Sequence, residues 1–160
     1  MPQLALSLQQ TVDREAAHLR AVADKDAGVK PAPETWSKKE ELGHLIDSAA
    51  NNHVRFVRAS LEPEFRGPGY EQDGWVSLHA YNEMPWADVI DFWQRYNTFL
   101  AGLVRRIPAE RLGRQCIVGD SQPVTLQFLI EDYVLHMQHH LDHILAREKI
   151  TQYPGAALGV

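Results

Sequence analysis

The twelve residues YVLHMQHHLDHI, 133–144, hold four of the chain's eight histidines. Imidazole changes charge near neutral pH and is the usual nitrogen ligand of transition metals, so such a cluster points to proton transfer or metal binding. On a helix turning about 100° per residue, Leu126, Leu129, Ile130, Tyr133, Val134, Met137, Leu141 and Ile144 form one apolar stripe. His140 falls about 60° from its centre, His136 about 100°, His143 about 120° and His139 about 160°. Two i,i+4 pairs result, His136/His140 and His139/His143. Side chains four apart stack on one helix face and can clamp an ion between them. The first pair inclines toward the interior and is the better candidate. A catalytic site of this kind needs a third protein ligand, which must come from another element.

His44, His53 and His79 are the candidates, with His18 more remote. In the segment around the first two, Leu42, Leu45, Ile46, Ala49, Ala50 and Val57 make the apolar stripe. His53 lies at its centre and His44 nearly opposite. Yet His44, Ser48, Asn51, Asn52 and Arg55 make a second stripe, polar but poor in the Glu and Lys that coat a solvated face. It suits the lining of a wet cavity as well as it suits a surface. Spacing does not choose between His44 and His53.

Breakers and caps define the elements that must carry these side chains. Residues 3–24 are free of Gly and Pro and read as a first helix. A second spans 37–61, opened by a Ser37/Glu40 capping box, with Gly43 as its one breaker. Residues 63–84 contain Pro63, Gly67, Pro68, Gly69 and Gly74 and read as a long loop, a candidate pocket lid or dimer contact. A third helix starts near Pro85 and runs to 106. Thr125 caps a fourth over 125–148. No strand alternation competes, RQCIV at 114–118 being the nearest. Four such helices can bury their apolar stripes only against one another. The expected architecture is all-α, a four-helix bundle of antiparallel type in one domain over 1–160.

A net charge of −5 argues against nucleic acid as a partner. No apolar run reaches the roughly 20 residues of a membrane span, no signal-peptide layout is seen, and a cytoplasmic protein is expected. A single cysteine, Cys116, excludes an internal disulfide and a thiolate metal cluster, and it reads as an ordinary thiol rather than a nucleophile.

Three segments in order, WSKKEELGHLIDSAANNHVRF, GPGYEQDGWVSLHAYN and VTLQFLIEDYVLHMQHHLDHI, resemble the DinB superfamily. The nearest likeness is to its YfiT-like branch of metal-dependent hydrolases, relatives of the bacillithiol S-transferases. The resemblance covers nearly the whole chain. It implies one divalent metal inside the bundle, held by His44, His136 and His140. It alone selects His44 over His53, and it makes His139 and His143 companions of the motif. Asp47, Asn51 and Arg55 are weaker candidates for contacts to the ligands or substrate. Tyr70, Asp73 and Trp75 in the long loop are candidates for a pocket wall, with a dimer or packing role the stronger expectation for the two aromatics.

Three neutral imidazoles leave coordination positions open, and zinc is the first expectation, nickel the second. The resemblance further implies a small-molecule thiol activated for S-transfer to an electrophile; a homodimer is expected as the assembly. Hydrolysis of a small amide or ester, or a metal-binding bundle without catalysis, are the alternatives.

Overall fold

The computed structural model describes residues 2–148 and 150–153. Its helices are α1 (Pro2–Arg20), α2 (Asp24–Ala27), α3 (Lys38–Leu61), α4 (Gln72–His79), α5 (Trp86–Arg106) and α6 (Leu126–Ile144). Three short strands complete it, β1 (Phe65–Gly67), β2 (Gln115–Val118) and β3 (Val124–Thr125). The long helices α1, α3, α5 and α6 form a four-helix bundle around Trp93, Tyr133, Phe56, Leu8 and Leu100, all fully buried. None of the described helices is long and apolar enough to cross a membrane.

Local chemistry sets the helix starts. The Ser37 side chain accepts from Glu40 N while the Glu40 carboxylate accepts from Ser37 N, a reciprocal cap. Thr125 caps α6 by accepting from Phe128 N. Pro85 occupies the cap position just before α5. Two ends fall short of expectation. The first helix stops at Arg20, and the chain turns through Val22 into α2. The fourth stops at Ile144 rather than 148, because Ala146 takes a left-handed φ of 52° and reverses the chain.

The bundle is not of antiparallel type throughout. Arg20 reaches Asp91, and Trp86 Nε1 donates to Leu19 O at 2.9 Å, so the end of α1 meets the start of α5 and the two run antiparallel. Lys39 Nζ donates to Met84 O at 2.8 Å at the start of α3, and His53 meets Tyr96 and Phe99 further along, so α3 and α5 run parallel. Lys38 at the start of α3 bonds Ile144 O at the end of α6, which makes that pair antiparallel. Gln138 on Thr11 and Arg147 on Glu15 align α6 with α1.

The segment expected as a loop, residues 63–84, explains the parallel pair. It carries β1, α4 and a 3-10 turn at Tyr81–Glu83, and it runs back along α3 from end to start. Arg58 contacts Arg66 O, Arg55 contacts Pro68 O, His79 meets Asp47, the Tyr81 ring lies on Gly43, and Met84 reaches Lys39. Sequence pattern misses α4 because the cap is unusual. The Glu71 carboxylate accepts from Asp73 N and Gly74 N, and Gly74, read as a breaker, admits it where a Cβ would lie 2.1 Å from Glu71 Oε2.

The strands correct the all-helical expectation as well. β2 pairs parallel with β1 and antiparallel with β3, in the order β1-β2-β3. Pairs this short are fixed by tertiary neighbours rather than by alternation. Cys116 lies buried in β2, and burial pushes its thiol up to about 11, away from the reactive thiolate.

Gly43 decides how closely the returning segment can sit on α3. A Cβ there would fall 2.1 Å from Tyr81 Cδ2. Alanine raises helix propensity by about 1 kcal/mol, yet overpacking costs about 1–3 kcal/mol and here also displaces the Tyr81–Asp47 bond. Gly43→Ala is therefore expected to lower the melting temperature by roughly 2–4 °C per kcal/mol lost. Thermal denaturation followed by circular dichroism checks this, and a raised melting temperature would contradict the packing account.

Candidate metal centre

Covered by the bundle on one side and the returning segment on the other, α3 buries both of its stripes. His44, Asp47, Ser48, Asn52 and Arg55 are all buried despite their polarity. His53 instead faces α5, its Nδ1 3.1 Å from the Tyr96 hydroxyl and its ring beside Phe99, and takes no part in the cluster. The choice between His44 and His53 that helical periodicity leaves open is made by this second cover.

His44 from α3 meets His136 and His140 from α6. One ring nitrogen of each lies within 4.8 Å of the others. His44 Nε2 and His136 Nε2 are 3.3 Å apart. Nitrogens bound tetrahedrally at the usual zinc distance would stand about 3.3–3.4 Å apart, so this edge has the size of a first coordination shell. His44 is wholly buried, His136 nearly so, and His140 borders solvent. Burial, reinforced by the neighbouring imidazole of His140, holds His44 at about 3 and His136 at about 2, so both are neutral at ordinary pH. The Nδ1 atoms of both are buried without a hydrogen-bond partner among the described residues. A donor set of three neutral imidazoles suits a borderline divalent ion, and the residues fit it.

His140 is held differently. Its Nδ1 lies 2.8 Å from Glu41 Oε1, and His143 Nδ1 lies 3.1 Å from the same oxygen. A carboxylate oxygen accepts, so Nδ1 of His140 donates in this bond, and Nε2 is the ring nitrogen left for the cluster. Glu41 escapes notice in the sequence beside the capping Glu40. The signal was available, since Glu41 and His44 stand at i,i+3 on one face, as do His140 and His143.

Aromatic rings wall the cluster. Trp36 packs on His44 at 4.9 Å between centroids. Tyr153 folds back from the C-terminal side onto His136 at 5.6 Å and His139 at 5.7 Å. Trp36 also lines a cleft of about 520 Å³ together with Glu40, Asp73, Val76 and Asn82. Of the expected wall residues, Asp73 therefore borders a cleft, whereas Trp75 packs between Tyr70 and His79.

The weaker candidates fall outside the triad. Asp47 is buried and accepts from the Tyr81 hydroxyl at 2.7 Å, with His79 Nδ1 at 2.8 Å. Burial raises its pKa. Asn51 bonds Asp47 O within α3. Arg55 makes long contacts of 3.4 Å to Asn52 Oδ1 and Pro68 O. His139 packs beside His140 at 5.5 Å and stacks on His143 at 6.5 Å, forming an outer layer on α6. His18 pairs with Glu15 at 3.0 Å, apart from the cluster.

The sequence profile of the DinB superfamily matches residues 7–144. A Halalkalibacterium halodurans protein named "Putative metal-dependent hydrolase" is 26% identical over 110 residues, 69% of this chain and 64% of its own length. The Bacillus subtilis protein named "Putative metal-dependent hydrolase YfiT" is 24% identical over 110 residues, 68% of this chain and 62% of its own. The match thus spans less than two thirds of these relatives. The solved structure of YfiT, described as a probable metal-dependent hydrolase with an unusual four-helix bundle topology, superposes with a TM-score of 0.78 at 20% identity. It covers 90% of this chain and 83% of that one. A mycothiol-dependent maleylpyruvate isomerase shares the fold with a TM-score of 0.68 at 10% identity, over 95% of this chain and 62% of the other.

The buried imidazoles make the metal-free fold acid-sensitive. Their folded pKa values lie below the roughly 6.5 of an unfolded chain, so the unfolded state takes up protons first as pH falls. Stability is full above that value and is lost as pH drops toward 3, by up to about 1.4 kcal/mol per pH unit for each imidazole. Denaturant titrations from pH 7 to 4 with chelator present are expected to show this slope, and His44→Gln to flatten it by one imidazole's share. An unchanged slope in the variant would mean that His44 is not held neutral by burial.

Proposed function

This chain belongs to the DinB superfamily, and from that premise we propose that it is an enzyme whose divalent metal is held by His44, His136 and His140. Its reaction in this reading is the transfer of a small-molecule thiol to an electrophilic small molecule. The observation that carries the proposal is the convergence of three imidazoles, His44 and His136 buried and neutral and His140 at the rim, with one ring nitrogen of each within 4.8 Å of the others. Structural zinc sites are normally closed by four protein ligands, whereas three leave room for a reactant. When bound, such an ion supplies Lewis acidity that lets a thiol or water ionise near neutral pH.

The chain's own residues would do the rest. Three uncharged ligands leave the ion's charge uncompensated within the set, which favours an anionic sulfur as the next partner. Trp36 and Tyr153 shield the ring edges of His44 and His136 from water, and the cleft beside Trp36 is of a size for a small-molecule reactant. The thiol reading is supported by a fold neighbour whose name specifies thiol dependence. Hydrolysis is the second reading, supported by the names of the sequence relatives, and it would use water at the same place. Zinc is the proposed ion, with nickel next, and a homodimer is the proposed assembly.

Purified protein loaded with zinc or nickel is to be assayed with several low-molecular-weight thiols against alkylating and epoxide electrophiles, and in parallel with activated esters and amides. Thiol transfer is expected to vanish with chelator and to return with metal, while the helical circular dichroism spectrum persists without metal. Ester or amide turnover alone would select the hydrolytic reading. Activity that survives chelation, or loss of helicity on chelation, would overturn the catalytic metal centre.

A further inference from the structure

Of the three clustered imidazoles, His140 alone bonds a protein group through its Nδ1 among the described residues. Nδ1 of His44 and of His136 meets none among the described residues, whereas Nδ1 of His140 bonds Glu41 Oε1. Glu41 sits in the first turn of α3, where the helix dipole favours a carboxylate, and it is about nine-tenths buried. The same oxygen takes His143 Nδ1 from the solvent side, and the His143 side chain is 74% exposed. Two donors on one oxygen fix where that oxygen lies. The carboxylate in turn fixes both the ring orientation and the tautomer of His140.

We infer that Glu41 is a positioning residue for the centre. It sets His140 as the pre-formed ligand, with Nδ1 protonated and Nε2 free to coordinate, and His143 steadies the carboxylate from outside. The inference rests on the metal reading for its consequence but not for its geometry. His44 and His136 meet instead through their Nε2 atoms at 3.3 Å, where one ring must donate to the other, so that proton would have to leave Nε2 when the ion arrives. A carboxylate behind a ligating imidazole raises its basicity, and its loss typically weakens metal binding about 10- to 100-fold.

Two measurements test this. In metal-free protein, nitrogen-15 spectra of the histidine rings are expected to show His140 as the Nδ1–H tautomer, and Glu41→Ala to abolish that fixed tautomer. Zinc affinity, measured by competition with a chromophoric chelator, is expected to fall about 10- to 100-fold in Glu41→Ala. In Glu41→Gln, which keeps an acceptor but loses the charge, it is expected to fall about tenfold with the tautomer retained. The His143→Ala change, on the surface, is expected to weaken zinc binding by a smaller factor. Should Glu41→Ala not fold, Glu41→Gln and His143→Ala carry the affinity arm and the wild-type tautomer carries the other. Wild-type protein that binds no zinc would refute the metal reading, while its His140 tautomer would still judge Glu41. A His140 with its proton on Nε2, or unaltered zinc affinity in the Glu41 variants, would overturn the inference.

Discussion

A helix covered on two sides has little outward face left for a polar stripe, and that constraint on α3 governs much of the rest of the structure. The segment from β1 to the 3-10 turn runs back along α3, so His44, Asp47, Ser48, Asn52 and Arg55 are enclosed with the apolar side chains. Buried polar groups need internal partners. Asp47 finds Tyr81 and His79, Asn52 finds Ser48, and His44 faces the imidazoles of α6. The same return lets α5 start where α3 starts, which makes those two helices parallel. A plain up-and-down bundle would have left this stripe in water.

The electrostatics of the cluster follow from its depth. Desolvation opposes the imidazolium form, so His44 and His136 stay neutral well below ordinary pH. Two neutral rings can bring their Nε2 atoms to 3.3 Å, one donating to the other, without the repulsion that two cations would suffer. His140, at the rim, is instead held by a carboxylate. The cluster thus grades from apolar depth to a charged edge: two buried neutral imidazoles, then a carboxylate-bound one, then the exposed His143 and the outer His139.

Membership of the DinB superfamily agrees with the order of elements and with the likeness to the YfiT structure. The activity of any one relative does not follow from the fold, since one scaffold hosts different chemistries by changing what lines the site. Chain-specific groups matter for that reason. Trp36, Tyr153 and the Glu41–His143 pair shape the surroundings of the triad.

Much of this could be read from the chain alone. Helix starts at Ser37 and Thr125 were legible because capping is local chemistry, with the cap and its partner three residues apart. The inward tilt of His136 and His140 was legible because helical periodicity fixes direction to within a few tens of degrees. The resemblance to a family picked His44, where spacing could not. What the sequence could not decide involved a second layer. His53 lay on the better apolar stripe, and only the packing of the returning segment showed that α3 has two buried faces. Helix α4 was hidden by an atypical glutamate cap, and the strands were too short for alternation to register. Glu41 looked like one more charge in a first turn until α6 brought two imidazole N–H groups to a single oxygen. Local sequence determined the elements and the direction of their side chains; contacts between residues about a hundred positions apart decided which of those side chains share a site.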